Sequence, residues 1–106
     1  MTYRETFDVK KQSIPATLVF DFLSQLSVGE SIESPVVTAT VYSGVDPNPS
    51  SLVATPPVEE FRPAISQQAT GGISGVMYMI TCEVVARDLE PPSTRPLYLQ
   101  GYLTVV

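Results

Sequence analysis

The clearest alternation of apolar and polar positions in the chain runs from residue 76 to residue 86. One set of alternate positions is largely apolar, whereas the set between them includes Thr81 and Glu83. Because successive side chains of a strand point to opposite faces, the pattern predicts a strand with one buried face. We expect that face to contain Val76 and Ala86 and, as the core of the domain, Tyr78, Ile80, Cys82 and Val84.

Shorter runs near the two ends of the chain have the same period of two. Residues 7 to 10 alternate Phe and Val with Asp and Lys, and residues 97 to 105 alternate apolar positions with tyrosine and polar ones. Both runs predict strands. Residues 16 to 26 leave two alternatives open, a second strand or a short amphipathic helix.

In the middle of the chain, residues 32 to 42 predict a long strand that starts at Pro35. Residues 52 to 55 and 64 to 69 each predict a short edge strand. On the long strand, the smaller apolar residues at alternate positions are the better candidates for the core face, namely Val37, Ala39 and Val41.

Glycine and proline positions predict the turns and loops. Gly29 lies in a polar turn, and Gly71-Gly72 together with Gly75 predicts a tight reversal before the strongest strand. Five prolines between residues 43 and 63 exclude a continuous central strand there, because proline cannot donate to a strand ladder. We therefore expect a long loop over residues 43 to 63 and a proline-bearing hairpin loop over residues 89 to 96.

Strands at this spacing, with no helical pattern longer than one turn, indicate an all-β fold, an antiparallel two-layer sandwich of about seven short strands. The chain has 106 residues, of which 43% are hydrophobic, and this is enough to fill one small core. We expect an N-terminal strand or arm over residues 1 to 15, followed by a single sandwich domain over residues 16 to 106.

The composition narrows the chemistry that the chain can perform. It has no histidine and one cysteine, so a nucleophile lacks its usual imidazole base and zinc lacks its commonest nitrogen ligand. Six basic against eleven acidic residues give a net charge of −5, which does not favour binding to nucleic acid. The start of the chain does not resemble a signal peptide, and no apolar run is long enough to cross a bilayer. We expect a protein made in a reducing cytoplasm that is not an enzyme and binds no cofactor, metal, nucleic acid or membrane.

Three stretches of the sequence occur in an order that is typical of one known family. They are Phe22-Leu23-x-x-Leu26-x-x-Gly29-Glu30-Ser31-Ile32, then Gly71-Gly72-x-x-Gly75-x-x-Tyr78-x-Ile80-x-Cys82-x-Val84, and finally Gly101-Tyr102-Leu103-Thr104-Val105. With them, residues 17 to 106 resemble the small bacteriophage proteins known as fiber-tail adaptors. The resemblance implies an immunoglobulin-like (Ig-like) sandwich built into the tail or neck of a virion, with no catalytic activity.

From this resemblance we expect a structural protein of the virion, an adaptor that joins tail components or fibers through a ring-like assembly of many copies. Its partners would be other tail, neck or fiber proteins, and the bacterial host's cytoplasm would be its place of synthesis. The alternative is a capsid decoration module or an adhesive, carbohydrate-binding sandwich, for which Tyr98 and Tyr102 would supply the aromatic platform.

Exposed strand edges and loops would carry the contacts of such a protein. We expect the N-terminal segment to join neighbours, with its two lysines meeting acidic surface, and the loop of residues 43 to 63 to lie against an adjacent subunit.

Tyr78 has a second interpretation beside the core one, a corner tyrosine whose hydroxyl bonds the backbone. The structural turns are Gly29, Gly71, Gly72 and Gly75, and the interaction residues that we predict are Phe7, Lys10, Lys11, Pro47, Pro49, Pro56, Pro57 and Phe61.

Overall fold

A computed structural model of the chain describes residues 2–7, 10–59, 63–89 and 92–106. Two short 3₁₀ helices, Leu23–Gln25 and Pro49–Val53, lie among the strands. The strands are β1 (Thr2–Thr6), β2 (Ala16–Asp21), β3 (Glu30–Ser43), β4 (Val58–Glu59), β5 (Ala64–Ala69), β6 (Met77–Leu89) and β7 (Pro92–Thr104).

The strands form two sheets, one in the order β1-β7-β6-β3 and the other in the order β2-β5-β4. Three strands of each sheet pair antiparallel, whereas β1 runs parallel to β7. In Ig-like sandwiches the second, fifth and fourth strands form one sheet, and the third, sixth and seventh form the other. The two sheets here are grouped in the same way. The predicted all-β sandwich is therefore confirmed, with six antiparallel strands where we expected about seven, because β1 is parallel.

Strand β6 has the two faces that its sequence predicts. The core residues Tyr78, Ile80, Cys82 and Val84 are fully buried, and Val76 and Ala86 are buried with them. The intervening Met79, Thr81 and Glu83 are partly exposed on the other side of the sheet. The inner face packs against Phe20 and Ile65 of the smaller sheet, so the core lies between the two layers.

Strand β3 confirms the expected inner face but not the expected start. Ala39 is buried, and Val37 and Val41 pack against the core. The strand begins at Glu30, before Pro35, because a register shift between Glu33 and Val36 accommodates the proline. Ser34 has a φ of 55° within this shift. A β-bulge of this kind is one of the few places where a strand tolerates proline.

Three shorter expectations are settled by the sheets. Residues 16 to 21 form a strand, not a helix, with Leu18 and Phe20 buried. The segment 64–69 is a strand as expected, but it lies in the centre of its sheet and not at an edge. The edge strand predicted over residues 52 to 55 is wrong, because residues up to Val53 form the second 3₁₀ helix.

The loop predicted over residues 89 to 96 is also largely strand. Strand β6 continues to Leu89 and β7 begins at Pro92, with residues 90 and 91 outside the described part of the chain. Pro96 pairs with Val85 and lies beyond residues 98–102, where β1 pairs with β7. At Pro96, β7 therefore has a partner on its β6 side and none on its β1 side, so a proline there does not interrupt the β1–β7 ladder.

Candidate interaction surface

The N-terminal segment belongs to the chain's own sandwich. Strand β1 pairs with β7 from Thr2 opposite Tyr98 to Thr6 opposite Tyr102, and Lys10 then bridges to Val105 in the same parallel sense. Of the two alternatives, a strand or a free arm, the structure therefore has the strand. Of the predicted interaction residues of this segment, Lys11 is exposed, Phe7 is partly buried against the core and Lys10 is buried.

Phe7 contacts the core of its own domain. Its ring meets that of Phe20 edge to face, with ring centroids 5.3 Å apart, and it occupies the space over Gly101 where a side chain at that position would overlap the ring. Edge-to-face aromatic pairs add to the stabilisation that burial alone provides. Phe7 is therefore an intramolecular anchor of the N-terminal segment, which corrects its assignment as an interaction residue.

Lys10 is the most deeply buried cation that the structure describes, with 2% of its surface exposed. Its ammonium group donates to three backbone carbonyl oxygens, those of Lys11 at 2.8 Å, Gln12 at 3.2 Å and Gly71 at 2.8 Å. Burial lowers the pKa of Lys10 because it removes water from the charged form. The side chain ties the N-terminal segment to the turn before β6. This corrects the expectation that Lys10 meets acidic surface on a neighbour, because its ammonium group is buried.

The proline-rich loop also packs on its own domain. Leu52 is 1% exposed, its carbonyl oxygen accepts from the Thr70 amide at 2.9 Å, and the buried Gln67 donates to the Thr55 carbonyl oxygen at 2.7 Å. These contacts make residues 52 to 55 part of the chain's own domain, whereas the expected contact of the loop with an adjacent subunit stays a prediction. Pro47 and Pro56 are exposed and Pro49 and Pro57 half-buried, while the predicted Phe61 lies outside the described residues.

Tyr78 anchors the start of the same loop. Its buried hydroxyl accepts a hydrogen bond from the Ile73 amide at 2.9 Å and donates one to Asp46 Oδ2 at 2.7 Å. A corner tyrosine lies near the start of the sixth strand, and its hydroxyl bonds the backbone a few residues upstream. Tyr78 has this arrangement, with the Ile73 amide as the donor. Both interpretations of Tyr78 therefore hold, and its pKa is raised by burial and by the Asp46 carboxylate.

The predicted turn glycines all have positive φ angles. Gly72, at 90°, is also crowded, because a Cβ there would lie 2.9 Å from a methyl of Val105 and 3.2 Å from one of Leu52. The turn thus holds the proline-rich loop against the end of the chain. The other predicted turn positions with positive φ are Gly29, Gly71 and Gly75.

Potential reactive groups are few in the described part of the chain. Burial raises the pKa of the Cys82 thiol to about 12, so the thiolate is scarce at neutral pH. Among the described residues, no three His, Cys, Asp or Glu side chains lie close enough to hold a metal ion. Within the same residues, no helix is long and apolar enough to span a membrane.

A groove of about 490 Å³ lies beside the start of β3. Its apolar lining includes Leu23, which is 56% exposed, and the fully exposed Val28. At its border the Glu30 carboxylate receives two bonds from the Arg95 guanidinium, at 2.7 and 2.9 Å, and one from the Ser27 amide at 2.7 Å. The Arg95 bonds and the Ser27 bond lower the pKa of Glu30 to about 2. This ion pair joins the start of β3 to β7.

Tyrosine and methionine side chains lie together on the outer side of β3, β6 and β7, on a surface that we call the tyrosine face. The cross-strand register places Met79 between Thr40 and Tyr102, and Glu83 between Val36 and Tyr98. Tyr42 packs against Tyr102 with ring centroids 4.7 Å apart and an interplanar angle of 64°. We define the face as Val36, Thr38, Thr40, Tyr42, Met77, Met79, Thr81, Glu83, Tyr98, Gln100 and Tyr102.

Charge borders the tyrosine face but is sparse within it: the register pairs Arg4 of β1 with Gln100, and the Glu33–Arg87 ion pair lies next to Val85 on the same side of the sheet. Glu83 is the one charged residue in the set, and the hydroxyl of Tyr98 lies 3.5 Å from its carboxylate. Tyr42 and Val36 are 59% and 54% exposed. Tyrosine and methionine are enriched at the centres of protein interfaces, where charged residues are depleted. The face therefore has the composition of a contact surface.

Sequence reasoning did not assign this face to interaction. It named Tyr98 and Tyr102 only as an aromatic platform for sugars. The available signal was the second set of alternate positions in β6, where Met77, Met79 and Val85 are too apolar for a plainly solvated face.

Comparisons of the chain with models of protein families, with curated proteins and with solved structures find no match. The strand order alone defines the class of the fold, an Ig-like β-sandwich.

Proposed function

We propose that this chain is a non-enzymatic structural protein of a bacteriophage virion, a tail or neck adaptor that joins tail components or fibers through ring-like assembly. The tyrosine face carries the proposal. Its two exposed tyrosines, Tyr42 and Tyr98, and its half-buried Met77, Met79 and Tyr102, with one carboxylate among them, suit burial against another protein better than exposure to water. The motif resemblance described above supports the same function and adds the site of action, the tail or neck.

Assembly also agrees with how the rest of the chain is arranged. The N-terminal segment and the proline-rich loop are anchored to the domain by Phe7, Lys10 and Leu52. A rigid surface loses little conformational entropy when it docks, so a small contact can suffice. Many copies in one particle would then act together, although each contact alone is weak.

The experiment that tests this function uses the phage that encodes the chain. Its gene is deleted, and the protein is supplied in the host as wild type or as Thr40→Lys, which places a charge on the tyrosine face beside Met79. A matched control is Thr17→Lys, since Thr17 is an exposed strand residue on the outer side of the smaller sheet.

We expect particles made without the protein to lack attached tails or fibers in electron micrographs, and wild type and Thr17→Lys to restore them. Thr40→Lys should restore few. Immunogold labelling should place the chain at the tail or neck. Complete particles in the absence of the protein, or particles that do not contain it, would overturn the proposed function.

The alternative, a decoration or carbohydrate-binding sandwich, is favoured by one observation, the 59% exposure of the Tyr42 ring. Sugars bind to open aromatic surfaces. Because the planes of Tyr42 and Tyr102 are inclined by 64°, the two rings do not form one flat platform, and a sugar would contact a single ring. Titration with a panel of oligosaccharides, followed by tyrosine fluorescence, tests it. A saturable signal that is lost in Tyr42→Ala would favour this function.

A further inference from the structure

We draw no further inference here: the strongest candidate, the apolar groove that Leu23, Val28 and Pro63 line beside the start of β3, has nothing among the described residues to show what covers it.

Discussion

Replacing Leu52 by alanine tests whether the proline-rich loop is part of the core. The side chain is 1% exposed, and the methyl group of Leu52 that approaches Gly72 lies 3.2 Å from where a Cβ there would be. Truncation of a buried leucine typically costs 2–5 kcal/mol, from lost burial and from the cavity that remains. The backbone bond from Thr70 to the Leu52 carbonyl is retained in the variant, so we expect a loss near the middle of that range, about 3 kcal/mol.

For a domain of this size such a loss lowers the melting temperature by roughly 12 °C. Urea denaturation followed by circular dichroism gives the free energy of unfolding, with an unchanged m value if the compactness of both states is preserved. The control is Val45→Ala in the same loop, because Val45 is 81% exposed and its truncation should change stability by less than about 0.5 kcal/mol. A Leu52→Ala domain within about 1 kcal/mol of wild type would show that the loop is only loosely attached and that our reasoning from burial is wrong.

Four further outcomes follow from the contacts described above. Tyr78→Phe leaves the Ile73 amide and Asp46 without their hydroxyl partner and should cost 1–3 kcal/mol in urea denaturation, so a neutral result would refute the anchoring role. Lys10→Met should lower the melting temperature by several degrees, since it removes three hydrogen bonds that hold the N-terminal segment; an unchanged transition would contradict this. Because folding lowers the pKa of Glu30 from 4.5 to about 2, the stability from its ion pair is present above pH 4.5 and is lost as the pH falls towards 2. When the free energy of unfolding is measured over a pH series, Glu30→Gln should lose less stability than wild type between pH 4.5 and 2. Equal losses in the two proteins would contradict the role of the ion pair. Cys82 should react with a thiol reagent only upon unfolding, whereas rapid labelling of the native protein would show that the face of β6 is misassigned.

Local alternation was sufficient to predict the faces of the longest strands. In β6 the period of two separates Ile80 and Cys82 from Thr81 and Glu83, and the structure buries the first pair and leaves the second partly exposed. A one-residue shift in register would exchange the two sets, so burial of one side of a sheet fixes the register strongly. The sandwich follows because each sheet has one apolar side to cover.

Contacts between distant parts of the chain were not accessible in the same way. Lys10 and Gly71 are sixty-one positions apart, and nothing near Lys10 in the sequence distinguishes a buried ammonium from a solvated one. Leu52 sits among prolines that correctly exclude a central strand, yet proline content does not say whether a loop packs on its own core. Such assignments depend on which backbone carbonyls and cavities the fold brings near, and this is a property of the topology.

The outer side of β6 shows how far a pattern of alternation can be used. Alternation ranks the two faces of a strand by hydrophobicity, so the better face is assigned to the core and the other to solvent by default. Met79 lies on the lesser face, but it is flanked across the strands by Thr40 and Tyr102, and neither neighbour is charged. A face open to water usually carries Lys or Glu at such positions, because these side chains keep a sheet soluble and discourage association. Each side of β6 therefore has apolar surface to cover: the chain's own smaller sheet covers one, and the other lies at the centre of the tyrosine face.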